Sequence, residues 1–302
     1  MQISELIEKH ALPDSYRQTV NDIIQPLADI VAACYRQRER PVFININGSQ
    51  GSGKSTLTEF LRMLLEQQQL RVASFSLDDF YLTRAERQQL AKTVHPLLKT
   101  RGVPGTHNLP LMQKVMQALL SGESASIPRF DKAIDDQMPE SDWLQQPPVD
   151  VILFEGWCNG CPVQPEGMLK DPVNALEAEQ DPQGVWRHYV NDALKDYHTG
   201  VFAKADLMIL LQVPGFEAVF EWRRLQEDKL RRNTPASSAA HLMDDEQLVH
   251  FIQHYERLTR YALQTLPEGL ADILLPINHD HAITGLLQKH EHEYFSATLK
   301  AG

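Results

Sequence analysis

The stretch Gly48-Ser-Gln-Gly-Ser-Gly-Lys-Ser55 lies between a short apolar run, Val42, Phe43 and Ile44, and a helix-period segment, LTEFLRMLLEQQQL. Glycines let a backbone adopt φ > 0 and approach an anion without a Cβ clash. Successive N–H groups then form an anion nest at a helix N-terminus. Gly48, Gly53, Lys54 and Ser55 fit the spacing G-x-x-x-x-G-K-[ST], and a preceding strand and following helix are the context that spacing needs. Lys54 adds a full charge worth about 4 kcal/mol toward an outer phosphate at about 4 Å and an effective dielectric near 20. The Ser55 hydroxyl is placed to ligate Mg2+. Gly48, Ser49, Gln50, Gly51, Ser52, Gly53, Lys54, Ser55 and Thr56 are together read as a nucleoside triphosphate site. A loop that merely turns the chain is the alternative, and the flanking strand and helix argue against it.

Periodicity places strands at 41–47, 71–77, 149–156, 205–213 and 271–277. Helices are expected at 54–69, 83–94, 109–121, roughly 185–198, 216–232 and 244–265, with a terminal helix closing the chain. Alternating strands and helices imply a mostly parallel α/β sheet with helices on both faces. Residues 1–40 carry Ile23, Ile24, Leu27, Ile30 and Val31 on one helical face and are read as a helical extension packed on the main domain, 41–302. A segment rich in Pro and Gly, 158–184, reads as an insertion.

The 302 residues suffice for a sizeable core, and the longest apolar runs, such as VILF and LMILL, are strand-sized. None approaches the roughly 20 residues of a membrane span. The N-terminus lacks a basic stretch followed by an apolar one, so no secretory signal is expected. Three cysteines, an odd number, argue against a disulfide framework and for a cytoplasmic setting. A net charge of −11 repels a nucleic-acid backbone, so any polyanion must be caught by a local cationic site.

In an open α/β sheet, ligands bind beyond the carboxyl ends of the strands. Asp150, Asp206 and Asp272 start their strands and are read as solvated residues on the wrong edge. Asp78, Asp79 and Glu155 end theirs, on the edge of the glycine loop. Glu155 is the candidate Mg2+-organising carboxylate. Asp78 or Asp79 can accept the proton of an alcohol during phosphoryl transfer, an effect of about 10²–10⁴-fold. Helix capping is the competing use for that acidic pair. Charge developing on a transferred phosphoryl group also needs cations, and Arg223 and Arg231, separated by eight residues, share a face of the basic helix 216–232. A solvated surface helix is the alternative there.

The GSQGSGKST loop, DDFY after the second strand, PRFDKA, LFEGW and an Arg-rich helix after LMILLQV occur in an order that resembles the P-loop small-molecule kinases. That group includes the phosphoribulokinase, uridine kinase and pantothenate kinase relatives. RGVPGTHN, IPRFDKA and VILFEGWCNG are similar to stretches of plant-type D-glycerate 3-kinases and their bacterial and fungal relatives. The resemblance implies a P-loop NTPase fold with a lid near 216–240. It also implies use of ATP with Mg2+, and phosphorylation of a primary hydroxyl on a small acid, glycerate giving 3-phosphoglycerate. By position the family's D-x-F acid falls on Asp78, its strand-end glutamate on Glu155, and its lid on the Arg-rich helix.

An acidic acceptor needs fixed cations, and the segments between the catalytic strands hold Lys99, Arg101, His107, Arg129 and Lys132. Arginine suits bidentate capture of a carboxylate. Asp79 and Tyr81 complete the expected acceptor site. Phe130 and Asp131 keep a nucleoside or pantothenate-like alcohol open as acceptor. A nucleotide-hydrolysing regulatory switch is the reading from another class, although no guanine-reading N-K-x-D occurs. Cys158 and Cys161 are read as a turn, since structural zinc wants four ligands. His250 and His254 are read as helix surface, HEHE at 290–293 as a solvated tail, and PINHDH as the adenine side. Trp157 is read either as core or as a wall of the acceptor pocket.

Overall fold

The computed structural model describes residues 2–233, 245–290 and 293–296, with side chains described throughout except at 226–233 and 296. Helix α1 (Ile3–Lys9) precedes α2 (Tyr16–Thr19) and α3 (Gln25–Arg38), which a π-type stretch, Val20–Ile24, makes continuous. Next come β1 (Val42–Gly48), α4 (Lys54–Gln67), β2 (Val72–Ser76), α5 (Arg84–Thr93) and α6 (Leu109–Leu120). Four short strands follow: β3 (Ala125–Ile127) pairs with β6 (Leu144–Gln146), and β4 (Phe130–Asp131) with β5 (Asp136–Gln137). The chain continues through β7 (Val151–Gly156), α7 (Ala175–Gln180), α8 (Val185–Gly200), β8 (Leu207–Gln212), α9 (Phe216–Asn233) and α10 (Asp245–Thr265). The last described elements are β9 (Ile273–Pro276), β10 (Leu287–His290) and β11 (Glu293–Ser296).

The main sheet runs β11-β10-β9-β8-β1-β7-β2. Its five strands from β9 to β2 are parallel, as the alternation of elements implies. Val42, Ile44 and Ile46 of β1 and Val151 and Leu153 of β7 enter one core, while Phe43, Ile152 and Phe154 enter the other. A strand covered on both faces is apolar on both, which is why residues 42–44 of β1 and 151–154 of β7 read as continuous runs. The buried polar residues Asn45, Asn47 and Glu155 come only toward the carboxyl ends. Helix α4, the N-terminal helices and the start of α9 cover one face; α6 and α8 cover the other. Leu6, Ile7, Val20, Ile23, Ile24, Leu27 and Val31 lie in the first core, with Ile30 packed at its edge, so residues 1–40 share the sheet's own core.

Three expectations fail. Where the closing helix is expected, the described residues hold β10 and β11, which add to the sheet antiparallel beside β9. The exposed edge of β9 offers backbone partners that an isolated helix would leave unused, and Lys289 N–H takes one by donating to the Asp272 carbonyl at 2.9 Å. His290 and Glu293 of the supposed tail belong to this pair. Second, Asp150, Asp206 and Asp272 are not idle in solvent but engaged as acceptors. Asp150 accepts from the Arg71 amide, the Arg71 guanidinium and Tyr35. Asp206 accepts from the Phe43 amide and Arg40, and Asp272 from the Met208 amide. Each satisfies an amide of a neighbouring strand at the edge away from the glycine loop. Third, His254 is buried rather than on a helix surface.

The insertion is held fast. Arg187 donates to the Leu169 and Lys170 carbonyls and pairs with Asp181. Arg257 donates to the Met168 and Asp171 carbonyls and pairs with Glu177. Two buried guanidiniums thus fasten the 158–184 segment to α8 and α10.

Candidate active site

Register brings the site together. Glu155 on β7 is level with Ile46 on β1 and Ser76 on β2. Gly48 and Asp78 each lie two residues beyond those partners, so the glycine loop and both acids emerge on one rim. Gly51 and Gly53 take φ of +78° and +87°, which other residues adopt only with strain. A Cβ on Gly48 would stand 2.5 Å from Ser52 Oγ, and one on Gly51 3.2 Å from the Trp222 Cβ. The start of α9 is therefore packed directly on the loop. Gln50, Gly51, Gly53, Lys54, Ser55 and Thr56 line a cleft of about 870 Å³, while Ser49 and Ser52 are buried beneath it.

Glu155 accepts a 2.8 Å hydrogen bond from the Ser55 hydroxyl through Oε1. Its Oε2 lies 4.0 Å from Lys54 Nζ and is buried without a hydrogen-bond partner. Asp78 accepts from the Tyr81 hydroxyl at 2.6 Å on one oxygen and from Lys132 Nζ at 2.5 Å on the other. Burial would raise the Asp78 carboxyl, but the charges of Lys132 and Lys54 and those two hydrogen bonds outweigh it and hold it near 2. Asp79 behaves oppositely: burial dominates over its Ser76 hydrogen bond and Arg129, and lifts it to about 6. Ser76 and Asp79 form a capping box, the Ser76 amide donating to Asp79 at 2.9 Å. Neither acid caps α5, whose capping box is Thr83 and Glu86. Asp79 closes only the turn after β2, and both acids line the cleft, Asp78 with a third of its side chain open.

The cations divide into three kinds. Lys132 and Arg129 flank the acids with 60% and 47% of their side chains exposed, Arg129 standing 4.0 Å from Asp79. Arg101 lines the cleft, pairs with Asp135 and lies over the Phe130 ring at 5.5 Å. His107 is no cation. It is buried between a stacked Tyr81 and the Tyr197 hydroxyl at 2.8 Å, and burial pushes its ring down to about 3, so it stays neutral. Its absence from the cleft lining corrects its expected contact with an acceptor, as exposure away from the cleft does for Lys99. Arg223 lines the cleft; Arg231 belongs to α9, but its side chain lies outside the described residues, as does the lid beyond 233.

Residues 43–161 match the phosphoribulokinase / uridine kinase family. An uncharacterized kinase of Schizosaccharomyces pombe is 36% identical over 240 residues, spanning 75% of this chain and 83% of that protein. The chloroplastic D-glycerate 3-kinase of Arabidopsis thaliana is 30% identical over 237 residues, 75% of this chain and 48% of that protein. A solved D-glycerate 3-kinase from Cryptococcus neoformans superposes with a TM-score of 0.72 at 26% identity, covering 88% of this chain and 99% of that one. The chain belongs to the phosphoribulokinase / uridine kinase family of P-loop kinases.

As in any such kinase, the glycine loop is a nucleotide cradle, and the regulatory-switch alternative gives way to a phosphotransferase. The orphaned Glu155 Oε2 beside Ser55 suits a divalent cation, which neutralises phosphate charge when bound. Among the described residues no cluster of three His, Cys, Asp or Glu could hold a metal by itself, including Cys158 and Cys161. Those two thiols are free and buried at a turn closed by the Cys161 amide on the Cys158 carbonyl. Trp157 proves to be both core and wall: it is buried, donates to the Gly102 carbonyl at 2.8 Å and lines the cleft. Trp222 stacks on His281 at 4.2 Å, both lining the cleft, which brings the PINHDH segment to the loop side. Sequence reading passed over Trp222, Phe251 and Tyr255. Trp222 directly precedes the cleft-lining Arg223 on α9, and the two from α10 carry no local signal.

Proposed function

We propose that this chain transfers the γ-phosphoryl group of ATP to a hydroxyl of a small hydroxy acid, with D-glycerate giving 3-phosphoglycerate as the leading pair. The supporting observation is the convergence, on one rim, of Lys54, the Ser55–Glu155 pair and Asp78 with the cationic hairpin residues Arg129 and Lys132. The printed names of the Arabidopsis and Cryptococcus proteins favour glycerate among hydroxy acids.

In this reading the loop amides and Lys54 hold the phosphates, and Ser55 and Glu155 hold Mg2+. Arg223 and Arg231 cover the charge that develops on the moving phosphoryl group. Asp78 accepts the hydroxyl proton; as a carboxylate held near 2 it is ionised at every working pH. Arg101, Asp79 and Tyr81 shape the acceptor side. An aromatic wall, Tyr81 edge-on to Phe130 at 5.1 Å, favours a second reading in which a nucleoside or pantothenate-like alcohol is the acceptor. A cytoplasmic setting and no nucleic-acid partner belong to the proposal, supported by three free thiols and the net charge of −11. Among the described residues no helix is long and apolar enough to cross a membrane.

The test is ADP release by purified protein against a panel of hydroxy acids, nucleosides and sugars. A hydroxy acid should give the highest kcat/KM; a nucleoside or neutral alcohol in first place would overturn the acceptor assignment.

A further inference from the structure

Both carboxylate oxygens of Asp78 are engaged, one by the Tyr81 hydroxyl and the other by Lys132. The two partners differ in permanence. Tyr81 is buried, stacked on His107 at 4.8 Å, and cannot leave without opening the core. Lys132 is 60% exposed, on a four-carbon stem at the turn of the β4–β5 hairpin. That turn itself is anchored, because Arg87, 2% exposed, donates to the Asp135 carbonyl at 2.7 Å and the Arg84 amide donates to Asp136 at 3.0 Å. A fixed turn thus carries a movable ammonium, and the ammonium sits on the group that must take the proton. Of the other cleft cations on this side, Arg101 is committed to Asp135, and Arg129 stands loosely beside Asp79.

We propose that Lys132 is a latch on Asp78, released by the acceptor's own carboxylate. The inference rests on the hydroxy-acid reading above and adds how that site selects its substrate. An incoming carboxylate offers Lys132 the same kind of partner it leaves, with Arg129 as a second contact, so the exchange costs little. Asp78 Oδ2 is then free to face the hydroxyl. The acceptor oxygen forms its bond to the γ-phosphorus while the bond from that phosphorus to the bridging oxygen breaks and ADP leaves. The hydroxyl proton passes to Asp78. A neutral alcohol has nothing to give Lys132 in exchange and meets a base still held in an ion pair. One residue therefore links recognition of the acid to release of the base.

The test compares wild type, Lys132→Gln and Lys132→Arg, full length, with D-glycerate and with glycerol, its neutral counterpart. Lys132→Gln should raise the KM for glycerate about 10- to 100-fold, the range for losing a charge-assisted hydrogen bond. The same change should increase phosphorylation of glycerol above wild type, because Asp78 is no longer held. Lys132→Arg should keep the preference for the acid. Equal losses with both acceptors, or an unaltered glycerate KM, in a Lys132→Gln protein whose wild type does phosphorylate glycerate would overturn the latch alone. A wild type inert toward every hydroxy acid would sink the acceptor reading and the latch together.

Discussion

Two neighbouring carboxylates, Asp78 and Asp79, share the end of β2 but not their surroundings. Around Asp78, burial is outweighed by Lys132, Lys54 and Tyr81; around Asp79 burial prevails. Asp78→Asn should lower kcat by about 10²–10⁴ while ATP affinity, measured by calorimetry, stays nearly intact. If Asp79→Asn has that effect and Asp78→Asn does not, the base is the other carboxylate. For Asp79 the folded state favours the protonated form, with its carboxyl raised from 3.8 to about 6. The stability it costs is absent near pH 4, grows as pH rises through that interval, and is complete above 6. Asparagine keeps an acceptor for the Ser76 amide and carries no charge. Asp79→Asn should therefore raise Tm at pH 7.5 and leave it nearly unchanged near pH 4; an equal shift at both would remove this account. Lys54 and Ser55 were legible because their chemistry follows from local spacing. His107 was misread because burial is what keeps it neutral, and the groups packed on it, Tyr197 on α8 and the Tyr81 ring, are distant or turned inward in ways a linear string does not record.

At the scale of elements, the five parallel strands were legible from apolar runs, while the short pairs β3–β6 and β4–β5 and the strands β10 and β11 were not. β10 and β11 exist because β9 would otherwise be an open edge, so their conformation is set by a partner rather than by their own periodicity. The aspartates that immediately precede β7, β8 and β9 were assigned to the correct edge but given the wrong environment. An amide at the start of one strand needs an acceptor, and the carboxylate of a neighbouring strand supplies it. Asp150→Ala strips the Arg71 amide and the Tyr35 hydroxyl of their acceptor at once. It should destabilise the protein by about 1–3 kcal/mol in urea denaturation. Turnover per folded molecule should be unaffected, because this edge is the far one from the glycine loop; a fall in kcat would contradict that separation.

For the whole molecule, the N-terminal helices close one of the two cores. Leu6, Ile7, Val20, Ile24, Leu27 and Val31 pack with α4 residues Leu57, Phe60, Leu61 and Leu64. Deleting residues 1–40 should thus yield not a smaller kinase but an insoluble or unfolded chain, as circular dichroism and size-exclusion chromatography would show. A soluble, active 41–302 fragment would mean the extension is dispensable. The sequence by itself determined the anion cradle, the alternation of strands and helices and the list of acids on its rim. These depend on neighbours within one element, and local spacing carries them. Only the tertiary structure decided which cations stand free enough to meet a substrate, that Lys132 occupies Asp78, and that α9 packs on Gly51. Each of those joins segments far apart in the chain, and sheet register and core packing, rather than any local pattern, determine which side chains meet.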